Sequence, residues 1–199
     1  YQYLLNIWQT WSLEMSEVSA GVLRGQVEKI TQIEQQDKWF KRIDLADVQK
    51  DITEAFSAIP VPVERLTEFD NCREDYQTCL RWLEQGKRSV DQRNLAWTER
   101  VIADNRDFFD TVEVSPLNDS QCRAVVNGED AVLVLAGAGS GKTSVLVARA
   151  GWLLRRQEAL PEEILLLAFG RQAADEMNGR IKERLQTEGI KAKTFHALA

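Results

Sequence analysis

The 199-residue chain is predicted to begin with an α-helical region, a helical hairpin or small bundle, over residues 1–114. Part of an α/β domain with a parallel sheet is predicted to follow over residues 115–199. Three observations lead there. Apolar residues recur at alternating steps of four and three through the first half, the period of packed helices. At Ser115-Pro116 that pattern stops, and short apolar runs begin to alternate with helical stretches. The first of those runs feeds a glycine-rich loop that opens into a helix.

In the helical half, Leu4, Trp8, Trp11, Met15, Val18 and Val22 form a coiled-coil-like seam. Val48, Ile52, Phe56 and Ile59 mark a second helix, which Pro60-Val61-Pro62 stops. Further helices are predicted from about Val63 to Lys87 and from Ser89 to Phe109. The breaks are short, so long antiparallel helices follow. Six tryptophans occur in the chain; on apolar helix faces they read as core in preference to base-stacking platforms. Gly86-Lys87-Arg88-Ser89 mimics part of a phosphate loop, but no strand precedes it and no further glycines support it.

The second half reads strand, helix, strand, helix, strand. Its strands are Ala131–Leu135, Ile164–Ala168 and Ala192–Phe195, and its helices run from Ser144 to Leu154 and from Arg171 to Gln186. That order implies parallel strands joined by right-handed crossovers. Ahead of it, a short helix runs through Val126.

Composition narrows the class. No run approaches the roughly 18 apolar residues of a membrane span, and no charged-then-apolar leader opens the chain, so a cytoplasmic protein is expected. Cys72, Cys79 and Cys122 are odd in number and lack paired metal spacing, which points to reduced, buried thiols. Residues 1–114 carry 14 Lys/Arg against 21 Asp/Glu, whereas residues 115–199 carry 11 against 10. The acidity is confined to the front half, which leaves room for a local phosphate-binding groove in the nearly neutral half.

The chemistry concentrates in Ala136-Gly137-Ala138-Gly139-Ser140-Gly141-Lys142-Thr143, with Ser144 next. Three residues without Cβ let the chain wrap so that successive amides converge on one anion. The following helix adds its unpaired first-turn amides and its dipole. Lys142 is expected to reach the β- and γ-phosphates, and the Thr143 hydroxyl to ligate Mg²⁺. These residues therefore predict binding of ATP-Mg or another magnesium nucleoside triphosphate. An ordinary glycine-rich turn has no need of Lys-Thr directly after it. The strict pattern opens with Gly where Ala136 stands, and alanine is small enough to preserve the loop.

Leu117-Asn118-Asp119-Ser120-Gln121 precedes the first strand. The Gln121 amide matches the N6 and N7 edge of adenine, while Asn118 with Gln121 three residues later equally resembles a capping box. Both readings stand at this level. Downstream, Phe169-Gly170-Arg171 leaves the end of a strand, where ligands of open α/β sheets gather. An aromatic and an arginine there suit a base and a phosphate, but ordinary packing with a solvated arginine suits them too. Thr194-Phe195-His196, with the only histidine, is open in the same way.

Taken together, these segments resemble the UvrD/Rep-type superfamily-one DNA helicases. Leu117–Gln121 looks like their Q motif, Ala136–Thr143 like motif I with its alanine start, Phe169–Met177 like motif Ia, and Thr194–Ala199 like motif Ib. Order and spacing agree across residues 115–199. In the helical half, Val22–Gly25 and Pro62–Arg73 are similar to the amino-terminal extension of one member of that family. The resemblance implies an ATP-driven 3′–5′ motor on single-stranded DNA and duplex junctions, built from two RecA-like domains with ATP between them. It also implies that Gln121 selects adenine, that Lys142 and Thr143 hold phosphate and metal, and that Phe169, Phe195 and His196 lie along the strand, with Arg171 or Thr194 near its backbone. Many relatives have Thr where Ala168 stands, which removes one hydroxyl from that surface.

No apolar strand here ends in the Asp-Glu that would hold the metal's waters, and no second domain or arginine finger is present. The chain reads as an excised piece, expected to bind nucleotide weakly and to hydrolyse it negligibly. Two other classes fit parts of the sequence. A small-molecule kinase would share the phosphate loop, and the helical half suits a protein-interaction module.

Overall fold

The computed structural model describes residues 1–198, which divide into two compact units, one of residues 1–97 and one from residue 98 onward. The division lies inside a helix, upstream of the Ser115-Pro116 change in pattern. The end of the Thr194–Ala199 segment, Ala199, lies outside the described residues.

The first unit is a bundle of α1 (Gln2–Gln35), α2 (Asp44–Ala58) and the N-terminal part of α3 (Asp70–Asp104). Leu23 and Ile30 of α1, Ile52 of α2, and Cys72, Cys79, Trp82 and Val90 of α3 share one core. Where α1 ends without a basic residue in its last turn, Arg93 donates to the carbonyls of Ile33, Gln36 and Lys38 and so meets the terminal carbonyls from outside. Beside it the buried Asn94 amide exchanges two hydrogen bonds with the backbone of Phe40.

Two expectations for this region are corrected, the apolar seam and the burial of its tryptophans. The seam is buried only in its later turns: Leu4, Trp8, Trp11 and Val18 are exposed, and α1 packs instead through Ser16, Ser19, Ala20, Leu23 and Ile30. Small residues at 16, 19 and 20 permit a close helix approach that an apolar stripe does not announce. Trp8 and Trp11 are therefore surface residues, whereas Trp82, Trp97 and Trp152 are core. The predicted pair of helices over residues 63–109 is present as α3, two helical stretches that meet at a kink at Gln85, two residues before the expected end at Lys87; a 3-10 turn at Val63–Glu68 precedes them, and α4 (Arg106–Thr111) follows Asn105. Gly86–Ser89 lies within α3, next to a kink at Gln85. Gln49 of α2 donates to the carbonyls of Trp82 and Leu83 there, and a Cβ on Gly86 would stand 2.8 Å from a Leu45 methyl. The close approach of α2 suits a glycine beside this kink.

The second unit contains the end of α3, α4, α5 (Asp119–Val126), α6 (Lys142–Arg155), β1 (Leu165–Ala168), α7 (Arg171–Leu185) and β2 (Lys191–Thr194). β1 and β2 pair in parallel, Leu165 opposite Lys191 through Ala168 opposite Thr194. Buried Val147, Ala150, Ile164, Leu166, Ala174, Met177, Ile181 and Ala192 pack α6 and α7 with this sheet. Phe108 and Phe109 of α4 lie against Trp152 of α6, with ring centroids 5.7 and 5.4 Å apart. Gly151 makes room there: a Cβ would stand 2.7 Å from a Leu185 methyl, which would have to shift. Arg149 of α6 donates to the carbonyl of Val125 at the end of α5, and burial pulls its guanidinium below the usual pKa.

The expected first strand is not formed. Residues 132–137 carry no regular secondary structure, and Leu133 and Leu135 are 84% and 87% exposed. A strand exists only through its ladder, and the two described strands pair with each other alone. The sheet is thus two-stranded, and the strand–loop–helix unit is present as an extended segment, a loop and a helix.

Candidate nucleotide-binding site

The glycine loop turns as its composition requires. Gly139 and Gly141 take φ values of +72° and +83°, in the left-handed region that favours glycine. At Gly141 the space is also closed, since a Cβ would approach Gln121 Nε2 to 2.6 Å. The Ser140 amide and hydroxyl both donate to the Gly137 carbonyl, at 3.4 and 2.8 Å. Lys142 Nζ donates to the same oxygen at 2.7 Å and to the Ala136 carbonyl at 3.4 Å, so the ammonium lies folded over the loop. Ala136, Ala138 and Lys142 are exposed, while Thr143 and Ser144 are half-buried in the first turn of α6. No side chain among the described residues caps that helix. Its leading amides and positive dipole end face the loop, the local arrangement that receives an anion.

Gln121 joins this loop to the preceding helix. The Asn118–Gln121 capping box is formed: Gln121 Oε1 accepts from the Asn118 amide at 2.9 Å, and Asn118 Oδ1 accepts from the Gln121 amide at 3.0 Å. Gln121 Nε2 also donates to the Ser140 carbonyl at 3.1 Å. A carboxamide has two acceptor lone pairs and two N–H donors. One of each is used here, and one of each remains.

Two clefts flank the loop. A cleft of about 630 Å³ is bordered by Glu113, Gln121, Ser140, Gly141, Ser144, Arg180 and Arg184 among others. Another of about 530 Å³, more apolar, includes Gln121, Val132, Val134, Gly137, Lys142 and Leu146. Glu113, Arg180 and Arg184 were not singled out in the sequence. They lie 23 residues or more from the loop on the chain, at no motif spacing, and only the packing of α7 beside α6 brings the arginines there.

The second group of predicted residues gathers at one end of the small sheet. Because Ala168 is in register with Thr194, Phe169 and Phe195 leave adjacent strands at the same level. Phe169 is 98% and Phe195 61% exposed, and Arg171 and His196 are exposed with them. Thr194 differs: it is buried, and its hydroxyl accepts from the Ala197 amide at 3.3 Å. Of the two residues expected near a phosphate backbone, Arg171 is the accessible one. Two bare aromatic rings beside an arginine and a histidine are side chains of the kinds that can stack planar groups and pair with anions.

Elsewhere the chemistry is spare. Cys72, Cys79 and Cys122 are free and buried, with burial the main cause raising each thiol. Among the described residues no three His, Cys, Asp or Glu side chains gather to hold a metal, and no helix is long and apolar enough to cross a membrane.

Comparison with known proteins agrees with this layout. Residues 117–199 match the UvrD/REP helicase N-terminal domain, and residues 1–84 match the DNA helicase IV / RNA helicase N-terminal family. Residues 117–199 thus belong to the UvrD/REP helicase N-terminal domain family. Over its whole length it is similar to DNA helicase IV of Escherichia coli (strain K12), 58% identical over 199 residues, which are 29% of that protein. DNA helicase II of the same organism is 46% identical over 85 residues, 42% of this chain and 12% of the relative. The ATP-dependent DNA helicase PcrA of Staphylococcus epidermidis is 39% identical over 87 residues, 43% and 12% of the two chains. The chain thus spans less than a third of the length of each of these relatives.

Proposed function

We propose that residues 115–199 are the nucleotide-binding part of a RecA-like domain, in a protein that hydrolyses ATP to move 3′ to 5′ along single-stranded DNA and open duplex junctions. Residues 1–114 are the helical extension of that motor, and their exposed aromatic helix end is available to a protein partner. Such a protein works in the cytoplasm. The observation that carries this reading is the loop itself: two left-handed glycines, an ammonium folded over them, and an uncapped helix beginning at the same point.

Each residue then has a task. The amides of Gly137–Thr143 and Ser144 cradle the β-phosphate. Lys142 exchanges its two carbonyl partners for the β- and γ-phosphates, an exchange that leaves no donor unpaired. Ala136 and Ala138 are small enough to let the loop close on the phosphate chain. Thr143 supplies a hydroxyl ligand to Mg²⁺, which when bound neutralises charge on the phosphates. Gln121 offers adenine its remaining acceptor and donor while still holding the loop. The DNA strand lies across Phe169 and Phe195, with His196 beside it and Arg171 on its backbone, and Thr194 shapes the turn that presents Phe195.

The test is ATP turnover by the full-length protein and its Lys142→Ala variant, with and without single-stranded DNA. DNA-stimulated hydrolysis that falls to background in the variant is expected. Turnover indifferent to DNA, with a small acceptor phosphorylated instead, would make the protein a kinase and end the motor reading.

A further inference from the structure

The cleft beside Gly139–Gly141 contains a polar group that the capping box, the loop and the ion pairs leave unmatched. Glu113 lines it, is only 7% exposed, and its Oε1 has no hydrogen-bond partner among the described residues. Its other oxygen stands 4.0 Å from Arg180 NH1, at the limit of an ion pair. Arg180 already donates to Glu176 at 2.7 Å and approaches the Ser144 hydroxyl at 3.5 Å. A carboxylate oxygen shut away from water without a donor is costly, so a donor is missing from this side of the cleft. The Arg184 Nε, on the same cleft, is also unmatched.

Gln121 borders the same cleft with one acceptor and one donor to spare. A 6-aminopurine uses that pair through N6–H and N7, and its amino group then has a second N–H pointing along the other edge of the ring. We propose that Glu113 is a specificity-determining residue that accepts this second N6–H, so that Gln121 and Glu113 read the two hydrogens of one amino group. The carboxylate presents Oε1 to the cleft by turning about its terminal torsion, which is broad and soft. A 6-oxo purine offers an acceptor at that place and is repelled by the carboxylate. This assignment rests on the nucleotide reading of the loop given above.

The test compares three nucleotides on the full-length protein by displacement of a fluorescent nucleotide: ATP, its N6-monomethyl derivative with one N–H, and purine riboside triphosphate with none. In the unmodified protein, affinity falls stepwise with each hydrogen lost. In Glu113→Ala the preference for ATP over purine riboside triphosphate shrinks about tenfold, the size of one hydrogen bond to a charged group. Affinity for purine riboside triphosphate itself stays the same, which reports an intact fold, and the N6-methyl derivative binds as ATP does. Glu113→Gln, which keeps the size and an uncharged acceptor, gives a smaller drop of about threefold. If Glu113→Ala keeps the full preference for ATP, the carboxylate serves only Arg180 and Arg184 and the proposal is overturned while the loop reading stands. If no triphosphate binds in a Lys142-dependent way, the nucleotide reading fails first and takes this one with it.

Discussion

Gln121 shows how one side chain can carry two readings at once. The capping box and the adenine-matching amide compete for the same atoms in the sequence, yet the structure leaves half of the amide's hydrogen-bonding capacity unused. Gln121→Glu keeps the acceptor for the Asn118 amide and loses the donor to Ser140. Its expected outcome is a stability cost of about 1 kcal/mol, read by urea denaturation, and loss of the ATP-over-GTP preference. An unchanged preference in that variant would defeat the adenine role. Cys79 illustrates burial without chemistry. Desolvation, helped by Asp75, pushes its thiol up to about 11, above the ordinary thiol value of 9.0. The folded state therefore holds its proton at pH values where the unfolded chain has released it. The resulting stability is complete below pH 9 and is lost as pH rises toward 11. The Tm is expected to fall across that window, and to fall less in Cys79→Ala.

At the scale of elements, periodicity located helices well and misjudged which of their faces are covered. The Trp8 and Trp11 positions are in phase with a seam, but the covered stretch of α1 starts near Ser16. Replacing Trp8 and Trp11 together by Ser is expected to change stability by no more than about 0.5 kcal/mol. Trp82→Ala, deep in the bundle core, costs about 3–5 kcal/mol; comparison of denaturation midpoints separates the two. The apolar run at Ala131–Leu135 fails for another reason. A helix satisfies its own backbone, whereas a strand borrows its partners, and neither described strand pairs with this segment. In hydrogen exchange on the 199-residue chain, amides of Val132–Leu135 are expected to exchange at nearly unprotected rates. Those of the paired β1–β2 ladder are expected to exchange more slowly, and equal protection in both would contradict the unpaired segment.

For the molecule as a whole, charge divides as the pattern does, with net −7 over residues 1–114 and +1 over residues 115–199. The exposed aromatic and cationic sheet end belongs to the less acidic half. Among the described residues no three His, Cys, Asp or Glu side chains gather to hold a metal, and this 199-residue piece by itself is expected to turn over ATP negligibly, with or without DNA. A phosphate-release assay showing multiple turnovers by this chain would refute that.

What could be read directly were features that depend on near neighbours. The left-handed glycines, the capping box, the Pro60-Val61-Pro62 stop, and the β1, α7 and β2 segments all follow from residues a few positions apart, because turn conformation and helix periodicity are local properties. What required the folded chain were relations across long separations. These are the approach of Gln49 and Leu45 to the α3 kink beside Gly86, the exposure of Trp8 and Trp11, the unpaired state of residues 132–135, and the meeting of Glu113, Arg180 and Arg184 beside the loop. Each depends on which distant surface arrives, and that is settled by packing and strand pairing, which no spacing within a single segment encodes.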